Sequence, residues 1–136
     1  MRFSKLVLAV AAFVATTTVT ALFAAEITKD TLETVKKNVA EKKAVLVDVR
    51  EKSEWDEGHI EGSIFLPLSA LKKGVKKEHL TKAIPEDRIL YTFCVVGKRA
   101  VTAGNILEDF GYEVRALKPG YKELVRGGFK KAEKKK

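Results

Sequence analysis

The sequence predicts an α/β domain built on a parallel sheet. Short, nearly all-apolar runs rich in β-branched residues stand at 44–49 and 89–93. Such runs suit strands buried on both faces. They alternate with segments of helical spacing, the pattern of strand–helix units. A length of 136 residues with 46% hydrophobic content is enough for one domain and excludes general disorder.

The elements follow in order. Asp30-Thr31-Leu32-Glu33 has the D-x-x-E form of a capping box. Leu32, Val35 and Val39 follow at helical spacing, predicting a helix over 31–41. Residues 44–49 form the first strand, and the polar stretch 51–58 allows one helical turn. Residues 63–66 read as a short strand stopped by Pro67. Residues 72–87, rich in Lys, Arg and His, read as a solvated turn-and-helix segment with no site. Strand 89–93 runs directly into Cys94. Ala103, Ile106, Leu107 and Phe110 fall at i, i+3, i+4, i+7, and Gly111 sits where a C-terminal cap glycine belongs. Residues 113–117 form a last strand and Tyr121 opens a last helix.

The termini have a different character. Arg2 and Lys5 precede an uncharged stretch over 6–25 that ends in small residues, the pattern of a secretory signal peptide. An uncleaved membrane anchor is the competing reading, since twenty uncharged residues span a bilayer. Thr16, Thr17, Thr18 and Thr20 argue against it. The expected organisation is a leader over 1–25, a domain over 26–129 and a basic disordered tail over 130–136. The expected location is periplasmic or otherwise exported, with membrane contact only through an uncleaved leader. The net charge of +8 comes mostly from leader and tail, leaving about +2 on 26–129. The lysines are not interleaved with stacking aromatics, so nucleic-acid binding is not expected. One cysteine excludes an internal disulfide framework and cysteine-rich zinc or iron–sulfur sites. Two histidines twenty residues apart argue against a histidine metal site. Neither metal nor cofactor is expected.

The informative feature is Cys94. A buried strand ends, the cysteine follows at once, and the glycine-containing loop Val95-Val96-Gly97-Lys98-Arg99 opens a helix. In open α/β sheets ligands bind beyond the carboxyl ends of strands. Amides at a helix start point outward with partial positive charge, and a curled loop there makes a nest for an anion. A thiolate, or an anion attached to its sulfur, is stabilised in that place. A lone cysteine is more often a small buried hydrophobe. Its position beside Gly97, Lys98 and Arg99 points instead to chemistry.

With these residues in view, the body resembles the rhodanese (thiosulfate sulfurtransferase) family in its small, single-domain exported form. Val45-Leu46-Val47-Asp48-Val49-Arg50-Glu51 is similar to the family's L-D-V-R-E strand. Glu54-Trp55 with Gly58-His59-Ile60-Glu61-Gly62 is similar to its E-W…G-H-I-x-G segment, and Leu66-Pro67-Leu68 to its proline stop. Cys94 to Arg99 fits the C-x-x-G-x-R active loop, and Gly111-Tyr112-Glu113-Val114 the G-(F/Y)-x-V turn. The resemblance implies a three-layer fold with a five-stranded parallel sheet of order 3-2-4-5-1 and helices on both faces.

It also implies chemistry. Cys94 would be the nucleophile and persulfide carrier, taking sulfane sulfur from thiosulfate or a polysulfide and passing it to cyanide or a thiol acceptor. The amides of Val95, Val96, Gly97, Lys98 and Arg99 would cradle the anion, with Lys98 and Arg99 attracting it. A protein donor or acceptor is a further expectation. So is a second reading, a sulfur carrier without turnover. The loop is C-x4-R, shorter than the C-x5-R of related phosphatases and arsenate reductases, which favours sulfur transfer.

The chain departs from the family pattern in places. Val95 and Val96 stand where basic or polar residues are common. Ala100 replaces a frequent serine, Leu117-Lys118-Pro119-Gly120 replaces L-x-G-G, and Leu124 replaces a frequent tryptophan. Asp48 and Arg50 follow a strand's carboxyl end; they either line the site or form a structural ion pair. His59 reads as a hydrogen-bonding spacer rather than a base, His79 as surface, and Trp55 as core rather than rim.

Overall fold

The computed structural model describes residues 25–135. The leader expected over 1–25 therefore lies outside the described residues apart from Ala25, which is buried and packs on Gly104. No helix among the described residues is long and apolar enough to cross a membrane.

The elements are α1 (Leu32–Ala40), β1 (Ala44–Asp48), α2 (Lys52–Glu57), β2 (Ile64–Phe65) and α3 (Leu68–Lys72). There follow α4 (Lys77–Ala83), β3 (Ile89–Phe93), α5 (Lys98–Asp109), β4 (Val114–Ala116) and α6 (Tyr121–Arg126). The four strands pair in parallel in the order β2-β1-β3-β4. Ala44 lies opposite Ile89 and Asp48 opposite Phe93, so β1 and β3 end level.

Strand alternation builds two cores. Val45, Val47 and Leu90 face Leu71, Leu80, Ala103 and Leu107 of α3, α4 and α5. Ala44, Leu46, Tyr91 and Phe93 face Val35 of α1 and Leu124 of α6. The result is a helix–sheet–helix sandwich in which β1 is buried along its whole length.

The expected five-stranded sheet of order 3-2-4-5-1 is not formed; the sheet has four strands. The local patterns at 44–49, 63–66, 89–93 and 113–117 account for those four, and only the resemblance called for a fifth. At the edge beside β4 stands a single bridge, Ile27 to Ala116, with one bond from Thr28 N–H to the Ala116 carbonyl at 2.8 Å. The chain then turns into α1 at Thr31, too soon for a ladder to extend.

The cap of α1 also differs from the expected Asp30–Glu33 box. Thr31 is the N-cap, accepting from the Thr34 N–H at 3.2 Å. Asp30 is drawn into the sheet instead. Its Oδ2 accepts from the Tyr91 hydroxyl at 2.6 Å and from Arg115 at 2.9 Å. Asn38 Nδ2 donates to the same Tyr91 oxygen at 2.9 Å. This network ties α1 to β3 and β4. The expected disordered tail begins with paired residues: Glu61 N–H donates to the Lys130 carbonyl and Ala132 N–H to the His59 carbonyl.

The hydrogen bond from Tyr91, joined by Arg115, holds the Asp30 carboxyl below its ordinary value against an opposing effect of burial. A carboxyl depressed in the folded state stabilises above its unfolded pKa, near about 3.9, and that contribution is lost as pH falls through the folded value. Asp30→Asn is expected to lower stability near pH 7 and to flatten the acid limb of the stability curve below about pH 4. Urea unfolding at a series of pH values measures both.

Candidate active site

β3 ends at Phe93, and Cys94 follows beyond the sheet's carboxyl edge. The side chain is 1% exposed, so the thiol sits at the floor of the loop rather than on its rim. Its Sγ accepts from the Gly97 N–H at 3.2 Å. Gly97 is the N-cap of α5 and adopts φ +96°, a conformation that L side chains disfavour. A Cβ there would also crowd Ile27 and the Leu117 carbonyl, at 3.0 and 3.3 Å. Glycine is what lets the chain curl around the sulfur and enter α5 at once.

The loop is clamped from behind by the turn before α6. Tyr121 N–H donates to the Cys94 carbonyl at 3.2 Å. A Cβ on Gly120 would overlap the Val95 carbonyl oxygen and stand 2.7 Å from that of Cys94. The chain's Lys118-Pro119-Gly120 therefore keeps a glycine where backbone meets backbone. Glu123 Oε2 accepts the Gly120 N–H at 3.1 Å and closes this turn.

Arg99 does not face the anion site as a free cation. Its guanidinium donates to both carboxylate oxygens of Glu54, at 2.6 and 3.0 Å. The pair is about one-third exposed on each side. Glu54 Oε1 also accepts the Glu51 N–H at the start of α2, at 3.1 Å. The Arg99 bond holds the Glu54 carboxyl below its ordinary value, and Glu54 in turn raises Arg99, with a smaller contribution from Cys94. Glu54 thus joins the candidate site through Arg99, although in the sequence it stands out only as a letter of the E-W segment. The signal available was its place in the E-W segment, since nothing local links residues 45 positions apart. Lys98 is exposed and forms no ion pair among the described residues.

Asp48 and Arg50 form a buried ion pair. Arg50 NH2 lies 2.8 Å from Asp48 Oδ2 and donates to the Gly58 carbonyl at 2.8 Å. The guanidinium stacks 4.3 Å from the Tyr121 ring. The pair fixes the turn after β1, and Arg50 also borders a cleft of about 350 Å³ with Glu54, Gly58, Val95 and Tyr121. The pair is structural; only Arg50 reaches the cleft, and Asp48 is fully buried behind it. His59 stacks on Trp55 at 3.8 Å, with Nδ1 3.3 Å from the Trp55 carbonyl oxygen, the expected spacer role. Trp55 is half-buried and packs on Phe65 as well. His79 is exposed on α4. Val95 and Val96 are 50% and 67% exposed, so their side chains face solvent rather than the sulfur. Ala100 is fully buried in the same core cluster as Cys94. Among the described residues no group of three or more His, Cys, Asp or Glu could hold a metal ion.

This geometry can be set beside known proteins. Residues 31–126 match the family model of the rhodanese-like domain. The chain belongs to the rhodanese family. It is 39% identical over 94 residues to the uncharacterised protein YqhL of Bacillus subtilis, covering 68% of each chain. It is 33% identical over 86 residues to a putative mitochondrial thiosulfate sulfurtransferase of Schizosaccharomyces pombe, covering 57% of this chain and 60% of that one. A molybdopterin-synthase adenylyltransferase of Porphyra purpurea is matched over only 19% of its length. Among solved structures, the human single-domain sulfurtransferase TSTD1 superposes with a TM-score of 0.59 at 27% identity, covering 70% of this chain and 92% of that one. Rhodanese membership supports a sulfur-related activity of the kind this superfamily carries.

Gly120→Ala tests the clamp. The added methyl must push apart two backbone segments, and overpacking of this kind costs about 1–3 kcal/mol. The expected result is that loss in urea unfolding, together with a changed rate of Cys94 modification by a disulfide reagent in the folded protein.

Proposed function

We propose that this rhodanese is a sulfurtransferase that carries sulfane sulfur as a persulfide on Cys94. The carrying observation is the buried Cys94 sulfur at the β3–α5 junction, accepting the Gly97 N–H where the loop enters α5. In the proposed step the Cys94 thiolate attacks the outer sulfur of thiosulfate. An S–S bond forms on Sγ, and the bond to the sulfonate sulfur breaks with its electron pair, releasing sulfite. Attack by a thiolate or cyanide on the carried sulfur then returns the Cys94 thiolate. The loop amides hold the negative charge in both states, in the manner of an anion nest.

A carrier reading has one observation in its favour. The outward-facing side chains of the loop are valines, where an enzyme for small anions gains from polar ones. A persulfide or polysulfide donor suits that surface better than thiosulfate. Export to the periplasm, expected from residues 1–25, belongs to the same proposal; the N-terminal mass of the protein isolated from cells tests it.

Intact mass after incubation with thiosulfate, then cyanide, tests the function. One added sulfur atom, removed by cyanide and absent in Cys94→Ser, is the expected outcome. Gain only from polysulfide moves the assignment to a carrier. No gain from either, in a folded protein with a reduced thiol, refutes both.

The Glu54–Arg99 pair makes a separate prediction. Glu54→Gln removes the charge that offsets Arg99, so an anionic donor meets a more positive loop. KM for thiosulfate is expected to fall about threefold at low salt and to approach the parent value at high salt. An unchanged KM at low salt would show that Arg99 does not sense the donor.

A further inference from the structure

We propose that the mouth of the Cys94 loop docks a protein partner that presents its sulfur on an acidic and apolar segment. The proposal rests on the persulfide reading and names the partner class for that site.

Ile27, Val95 and Val96 are the exposed large hydrophobic residues among those described, at 39%, 50% and 67%. A single exposed valine needs no explanation. These three share one place. Ile27 reaches in from the segment before α1, and its Cδ1 packs against Gly97. Ile27, Val96 and Val101 line one open depression of about 690 Å³ together with Lys98, Thr102 and Lys118. Val95 continues the apolar surface into an adjoining depression, where Val96 and Lys118 recur beside Pro119 and where Glu123 stands at the far side from Ile27. The apolar patch thus runs across the loop that covers the thiol. Contiguous apolar surface of this kind marks an interaction site.

Charge supplies the second half of the partner's description. The depression holding Ile27 contains Lys98 and Lys118 and no carboxylate. Neither lysine forms an ion pair among the described residues. The cleft on the other side of the loop is balanced, with Glu54, Glu57 and Glu123 against Arg50, Lys122 and Lys131. An acidic segment is therefore drawn to the Lys98–Lys118 side, which also orients it across the loop. Thiosulfate, small and doubly charged, gains nothing from three exposed apolar side chains. A protein surface that covers them removes them from water. With the thiol 1% exposed, the partner's reacting sulfur must be carried on a narrow, protruding segment.

The test uses the full chain loaded with sulfur from polysulfide. The probes are short peptides with one cysteine flanked by glutamate and leucine, by lysine and leucine, or by glutamate and serine. Transfer is read by intact mass of both molecules in a single turnover. The glutamate–leucine peptide is expected to take the sulfur about tenfold faster than either counterpart, the scale of one rim charge and one apolar anchor. Lys118→Glu and Ile27→Ser should each remove most of that preference, and Ile27→Ser should do so with transfer to cyanide unchanged. Equal rates for all three peptides, or an undiminished preference in both variants, would overturn the proposal. So would a stable dimer of this chain that covers Val95 and Val96. A chain that takes up no sulfur from polysulfide refutes the persulfide reading alone. Docking is then decided with the serine form of the glutamate–leucine peptide, which should shift the backbone amide resonances of Ile27, Val96 and Lys118. No shift at these residues would overturn docking independently.

Discussion

Burial of β3 on both faces is the constraint from which the site follows. The strand lies between β1 and β4 and carries Leu90 toward one helical layer, Tyr91 and Phe93 toward the other. It therefore cannot shift register without exposing one set of side chains to the wrong face. Its last residue fixes where Cys94 begins. The turn before α6 then presses backbone against the back of the loop, so the sulfur is held by main-chain geometry rather than by a rigid side chain. Gly97 and Gly120 are the two places where that geometry leaves no room for a side chain.

The electrostatics of the site are set at longer range. Arg99 is committed to Glu54, and Arg50 to Asp48 and the Gly58 carbonyl. Both arginines act as struts that join α5 and the β1 turn to α2 and its following loop. What surrounds the thiol is the Gly97 amide, a Lys98 without an ion pair among the described residues and an outer rim of valines. That distribution suits a sulfur anion inside and a protein outside.

Much of this was legible along the chain. The two central strands were marked by apolar runs at 44–49 and 89–93, the strand at 63–66 by the Pro67 stop, and α5 by Ala103, Ile106, Leu107 and Phe110 closed at Gly111. Cys94 at a strand-to-helix junction stood out by position. The misreadings share a cause, the preference of a residue for a distant partner over a local one. Asp30 had the spacing of a helix cap but joins Tyr91 and Arg115, which lie 61 and 85 positions away. The partner of Arg99, expected only to attract an anion, was not legible because Glu54 lies 45 positions away. The fifth strand was an inference from resemblance, and only Ile27 makes its bridge before the chain turns into α1. Lys130 and Ala132 sit in a tail whose lysines predict solvation. Lys130 is exposed and Ala132 half-buried, yet their backbone pairs with residues 59–61, which composition does not reveal.

The central claim is that the enclosed Cys94 sulfur accepts a sulfane sulfur atom through the loop's own geometry. Sulfite released in a single turnover with thiosulfate tests it most directly. The account predicts up to one equivalent of sulfite per chain, matched by loss of the titratable Cys94 thiol and abolished in Cys94→Ser. Full retention of the free thiol with no sulfite, in the folded protein and at saturating thiosulfate, would contradict the assignment of thiosulfate as a donor; the same result with polysulfide, read as an unchanged thiol, would contradict the claim itself.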